Sequence, residues 1–161
     1  MRLLLLVLIV CTAAWCQPYR TARVVDRDGS TNLREQPSLK GAVVATVPSG
    51  HLVLVLQPKG EFWDVLKLAP IEGLPDSFGY IHKSRLKFTQ EDALGAGCIQ
   101  DPDGWSNLRA APSSSARVLA RLTANDWFLI LKRGEFFRVR TARGLVGYLH
   151  QSRVEWLVPR N

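Results

Sequence analysis

Apolar and polar positions alternate in short runs along most of this chain. "VVATV" from Val43 and "HLVLVL" from His51 are rich in β-branched and aliphatic residues, and Pro48-Ser49-Gly50 separates them as a turn signal. In "FWDVLKL" Val65 falls on one face with Trp63 two residues before it. In "GYIH" the period of two turns Ile81 inward and puts Tyr80 and His82 on the opposite face. No stretch shows a sustained 3.6-residue period with caps, so helices are expected to be minor. The pattern predicts about five short strands in roughly sixty residues, which suits a small closed barrel better than a sandwich.

The same succession is then written again. Asp26-Arg27-Asp28-Gly29 lies over Asp101-Pro102-Asp103-Gly104, Asn32-Leu33-Arg34 over Asn107-Leu108-Arg109, and Pro37-Ser38 over Pro112-Ser113. "VVATVPSGHLVLVL" matches "VLARLTANDWFLIL", "GEFWDV" matches "GEFFRV", and "GYIHKSRL" matches "GYLHQSRV". Length differences fall only where turns belong, and loops absorb them cheaply, so the pattern reads as a duplication. It places a first barrel over residues 20–88, a linker over 89–97 and a second barrel over 98–158. Units of this size bury modest cores, so the two are expected to lean on each other. The repeated phrase Asn-Leu-Arg then encodes architecture: Leu33 and Leu108 anchor the core, Pro37 and Pro112 stiffen the chain before the next strand, and Arg34 and Arg109 tie down loop carbonyls or a carboxylate.

Ahead of the repeats, Arg2 is followed by the apolar run Leu3 to Ala14, too short to span a bilayer and suited to the h-region of a secretory signal. Residues 1–16 are therefore expected to be a signal peptide, and the protein to be exported to the periplasm or the extracellular space. The alternative is a lipoprotein with Cys16 as acceptor, the one route by which a membrane would become a partner. Loss of the leader leaves Cys98 as the sole cysteine, so stability must come from packing. The formal net charge of +7 changes little with loss of Arg2, and in an exported protein it favours anionic envelope polymers over nucleic acid.

Catalytic chemistry finds little support. A Cys98 nucleophile would need a positioned histidine, and His51, His82 and His150 are the candidates. Cys98 instead stands where a first strand needs a small buried hydrophobe. No metalloprotease, nucleophile-elbow or phosphate-loop motif is written in the chain. The equivalent histidines fall in different barrels with no further ligand at metal spacing, so neither a metal nor a cofactor is expected.

A binding surface is the better expectation. Tyr80, His82, Tyr148 and His150 share an outer face, and Phe62 and Phe136 have opposite parity to the core valines. Rings beside polar tips suit a groove for sugars or peptides. Trp105, which has Ser30 as its counterpart, adds a further aromatic. The second copy carries nine basic against five acidic residues from Cys98 to Trp156, and Lys132, Arg133, Arg138, Arg140 and Arg143 gather around one hairpin. Arg138 and Arg140 on one strand face complete the candidate ligand-binding set, and the second copy is expected to dominate binding of an anionic component.

Asn-[apolar]-Arg-x-x-Pro-Ser, the following apolar pair and turn, Gly-x-[aromatic]-[aromatic]-x-Val, and the closing Gly-[aromatic]-[apolar]-x-x-Ser stand here in order, twice. In this ordered set both copies resemble the bacterial Src-homology-3 type (SH3b) domain, and the resemblance covers nearly all of the chain after the leader. The departures are Phe62, Phe136, Tyr80 and Tyr148 at positions usually held by Trp, and the long loop "APIEGLPDSF" of the first copy. The resemblance implies an all-β protein of two tandem small SH3-like β-barrels. It also implies a non-catalytic exported protein that binds a cell-wall polymer or envelope protein, with peptidoglycan or its peptides as first candidates. The alternative it leaves open is an adaptor between proteins, or an accessory targeting subunit of a separate cell-wall hydrolase.

Overall fold

The computed structural model describes residues 18–68 and 77–158. The leader, Cys16 and most of the long loop after Leu68 lie outside the described residues. The first copy forms β1 (Arg20–Val24), β2 (Ser30–Arg34), β3 (Val43–Pro48), β4 (Leu52–Lys59), β5 (Phe62–Lys67), β6 (Phe78–His82) and β7 (Leu86–Phe88). The second forms β8 (Gly95–Ile99), β9 (Trp105–Arg109), β10 (Val118–Thr123), β11 (Phe128–Lys132), β12 (Phe136–Thr141), β13 (Val146–His150) and β14 (Val154–Trp156). Each copy is one antiparallel sheet, with orders β3-β2-β6-β5-β4-β1-β7 and β10-β9-β13-β12-β11-β8-β14, so the two share one topology. Helical structure among the described residues is confined to 3-10 turns such as Lys83–Arg85 and Gln151–Arg153. The protein is all-β, in two small barrel-like units.

Each unit therefore has seven strands where the sequence pattern predicts about five. The additional ones are hard to read for a physical reason. β7 and β14 are three residues long, too short to show alternation, and β2 and β9 each carry one fully buried side chain, Leu33 and Leu108.

The runs "LVLVL" and "WFLIL" acquire their meaning in three dimensions. Val53 and Val55 point into the first unit's core beside Leu33, Val47, Val65 and Ile81. Their neighbours Leu52 and Leu54 point the other way, into a cluster with Leu66, Leu68, Ala93, Ala96, Cys98, Trp127, Leu129 and Val158. In the second unit Phe128 and Ile130 fill the core with Leu108, Leu122, Phe137, Val139 and Leu149, while Trp127 and Leu129 join that shared cluster. β4 and β11 are apolar on both faces because both faces are buried, one within the unit and one between units.

The segment expected as a linker is part of this joint. Ala93 bridges Tyr19, and Gly95–Gly97 already belong to β8. Glu91 accepts from both Arg140 (2.6 Å) and Arg138 (3.5 Å) of the second unit, and the Thr21 and Thr89 hydroxyls bond each other and the Glu91 carbonyl. These half-exposed ion pairs contribute little, about 0–1 kcal/mol each; the apolar cluster holds the units together.

The glycine that opens each "GY" strand is a packing residue. A Cβ on Gly79 would stand 2.6 Å from the Arg34 carbonyl and 2.9 Å from Leu33 Cγ. On Gly147 it would stand 2.8 Å from the Arg109 carbonyl and 2.7 Å from Leu108 Cγ. Only a side chain of hydrogen lets β6 and β13 lie against the Asn-Leu-Arg strands. Gly147→Ala is accordingly expected to destabilise the fold by about 1–3 kcal/mol through overpacking, read as a lower urea midpoint at unchanged slope.

Candidate binding grooves

The D-x-D-G phrase builds one wall of a groove in each unit. Asp26 Oδ1 accepts from the Asp28 N–H (3.0 Å), Asp101 Oδ1 accepts from the Asp103 N–H (3.0 Å), and Gly29 and Gly104 complete the turns at φ of 85° and 74°. The other carboxylate oxygen of each buried aspartate takes an arginine from the "SR" turn: Arg85 reaches Asp26 at 3.1 Å, and Arg153 pairs with Asp101. Asp26 and Asp101 side chains are 5% and 4% exposed while the arginines are about half-open, so each pair ties the end of its sheet to the turn without sealing off the guanidinium.

The Asn-Leu-Arg strand forms the floor. Leu33 and Leu108 point inward and are fully buried. Arg34 Nη1 donates to the Gly41 carbonyl (2.7 Å) and Arg109 Nη1 to the Ala116 carbonyl (2.8 Å), each tying down the loop to the next strand as expected. A register shift beside Arg34 in the β2–β3 pair, and at Val118 in the β9–β10 pair, marks the same bulge in both units.

The far wall is a histidine–phenylalanine pair. Phe62 stands opposite His82 and Phe136 opposite His150 in register, with ring centroids 5.2 Å apart in both and edge-on planes of 88° and 80°. His82 Nδ1 accepts from the Ser84 N–H (3.3 Å) and lies 2.8 Å from Ser84 Oγ; His150 repeats this with Ser152 at 3.3 and 2.7 Å. Each histidine thereby caps its 3-10 turn. An accepting Nδ1 assigns the neutral ring's proton to Nε2.

Together these residues enclose open grooves of about 390 and 400 Å³. Corresponding positions line both: Asp26 and Asp101, Asn32 and Asn107, Arg34 and Arg109, Phe62 and Phe136, His82 and His150, Arg85 and Arg153. They differ at the rim, where Ser30 and the 71%-exposed Leu39 of the first face Trp105 and Ser114 of the second. The Arg121 guanidinium lies 3.4 Å over the Trp105 ring and holds it in place. Glu61, bonded by Lys83 at 2.7 Å, has its carboxyl held below the usual range by that hydrogen bond; its counterpart Glu135 instead lies 3.9 Å from His150 Nε2.

The expected site residues thus divide. Phe62, His82, Trp105, Phe136 and His150 line grooves. Tyr80 and Tyr148 share the outer face with the histidines but lie one pair further along, opposite Asp64 and Arg138. Arg138 and Arg140 stand on that same face in the second unit and end at Glu91, away from the groove. The cations that do line the grooves are Arg34, Arg85, Arg109 and Arg153. These, with Asp26, Asp101, Asn32 and Asn107, recur as the same letters in both copies of the sequence. Their signal was that polar residues recurred where packing alone does not require them. Cys98 is 7% exposed within the inter-unit cluster, where burial and Glu155 push its thiol pKa up.

Fold and grooves together define an all-β protein of two like units, with a polar groove of corresponding lining in each. No protein-family model matches the chain, and no curated protein matches it. Among solved structures it is similar to NlpC2 from Trichomonas vaginalis, at 15% identity and a TM-score of 0.38 over 89% of this chain and 51% of that one. It is also similar to NlpC1 from Trichomonas vaginalis, at 17% identity and a TM-score of 0.36 over 95% and 51%. An NlpC/P60 family protein from Bacillus cereus ATCC 10987 follows, at 15% identity and a TM-score of 0.33 over 84% and 55%. The chain spans about half the length of these structures. Likeness at this level carries no functional argument.

Proposed function

We propose that the chain is a non-catalytic, exported binding protein of the SH3b type that recognises a cell-envelope component, peptidoglycan or its peptides, through its two grooves. The observation that carries this reading is the groove itself, built twice from corresponding residues on one topology. Each histidine is used to cap its own 3-10 turn, its Nδ1 held by the N–H and hydroxyl of the serine two residues on, and Cys98 lies among the leucines of the inter-unit joint. An open, polar groove with one aromatic wall is suited to holding a ligand in place. An adaptor between proteins, or an accessory subunit of a separate hydrolase, would use the same grooves with a protein as ligand.

Co-sedimentation with purified sacculi tests the reading: the protein is expected in the pellet, and its retention in the supernatant beside a pelleting control wall binder would overturn it. The second groove is expected to dominate, because Trp105 presents a braced ring where the first has Ser30. Trp105→Ala is expected to lower sacculus affinity about tenfold, as loss of an aromatic anchor does. Arg138→Glu with Arg140→Glu is a poor probe of ligand contact, since it sets both positions against Glu91.

A further inference from the structure

The joint between the units is made from the same face of both. The match of "HLVLVL" with "DWFLIL" sets Leu52 over Trp127, Leu54 over Leu129 and Leu56 over Leu131, and all six pack in the one inter-unit cluster. Copies packed head to tail would offer different faces to each other; equivalent faces meeting is the mark of a two-fold arrangement. The main chain follows the same rule. Tyr19 and Ala93 form an antiparallel bridge, each N–H donating to the other's carbonyl at 2.7 and 2.8 Å. Tyr19 and Leu94 are equivalent, each standing one residue before the first strand of its unit, so Ala93 corresponds to Pro18. Exchanging the units turns the Tyr19–Ala93 pair into Leu94–Pro18, the next pair of the same antiparallel register, as a two-fold axis beside it requires. The symmetry is broken at Leu66, whose counterpart Arg140 is taken up by Glu91.

A two-fold sets the grooves on opposite sides of its axis, and the line from one to the other runs across that axis. Rotation reverses every direction across it. The grooves have corresponding linings, so a ligand with a chemical direction seats in the same sense relative to each unit. A straight strand leaving the first groove toward the second would therefore enter the second backwards. None of the groove-lining residues belongs to the joint, so both grooves stay open together on one body.

We propose that the protein holds two separate strands of a directional envelope polymer at once, one in each groove and running in opposite senses. It bridges neighbouring chains and does not clamp along one. This rests on the reading of the grooves as sites for an envelope polymer and adds the arrangement of that polymer which they take.

The test compares three forms of one ligand: disaccharide-peptides released from sacculi by muramidase, long glycan strands with their stems released by endopeptidase, and intact sacculi. A clamp closing both grooves on one strand would bind dilute strands about 10²–10⁴-fold more tightly than single disaccharide-peptides. Bridging expects less than about tenfold between those two, with the large gain only on sacculi, where neighbouring chains lie side by side. Asn32→Tyr fills the first groove from an exposed position and is expected to melt like the parent. It is expected to weaken sacculus binding by about tenfold or more while leaving dilute strands within about threefold. Donor- and acceptor-labelled strands mixed with the protein are expected to transfer energy, and to stop doing so when protein is in excess. A gain of about 10²-fold or more on dilute strands, no energy transfer at any ratio, or sacculus binding untouched by Asn32→Tyr would each overturn the inference and leave the envelope reading standing. A protein that never pellets with sacculi overturns the envelope reading, and the inference falls with it.

Discussion

Leu33→Ala and Leu108→Ala are each expected to cost about 2–5 kcal/mol, the range for emptying a fully buried leucine site. Both side chains are 0% exposed. The upper part of that range is favoured by the neighbours, because each leucine's Cγ packs against a glycine of the adjacent strand. Glycine has no side chain to swing into the void. The ladders that hold β2 to β3 and β9 to β10 keep the backbone from collapsing after it. A cavity of this kind stays open. Urea melts of the two variants measure it, and unchanged midpoints would mean that these leucines do not occupy the core.

Trp127→Ala is expected to be at least as costly, about 3–5 kcal/mol, and to report on the joint between the units. Trp127 is 8% exposed and belongs to the cluster that also takes Leu52, Leu54, Leu66 and Leu68 from the first unit. Removing the indole withdraws the largest side chain of that cluster from both partners at once. In the parent, a shared apolar cluster predicts one cooperative unfolding transition across both units. In the variant the midpoint falls, and the transition is expected to broaden or divide as the first unit loses its support. Calorimetry distinguishes these outcomes. Two well-separated transitions already present in the parent would show that the cluster does not couple the units.

The duplication and its strand pattern were legible because side chains alternate with period two wherever one face is buried, and Val65, Ile81, Val139 and Leu149 all turned inward as that period requires. Leu33 and Leu108 as anchors were legible in the repeat; for Arg34 and Arg109 it left loop carbonyls and a carboxylate open, and folding chose the carbonyls. The same parity puts Phe62, His82, Phe136 and His150 on the groove face, but it also puts forward Tyr80 and Tyr148, which lie one pair beyond the grooves. The continuous runs around Val53 and Leu129 were not legible, because an apolar strand buried on both faces has no period to show. Which face meets its own core and which meets the other unit depends on residues far apart in the chain. Arg138 and Arg140 illustrate the same gap: a basic pair on one strand face reads as a charged patch until Glu91, nearly fifty residues earlier, is folded against it.

The order of residues carries the local features: strand period, turn positions, the doubled phrase and the residues that face inward. Folding settled the pairing. It set Asp26 against Arg85 and Asp101 against Arg153, and placed the Phe–His pairs across from the Asn-Leu-Arg strands. Hydrophobic periodicity is a property of neighbouring residues and survives in one dimension. Satisfaction of a polar group depends on which distant donor or acceptor folding brings within hydrogen-bond reach, and no local pattern encodes that distance.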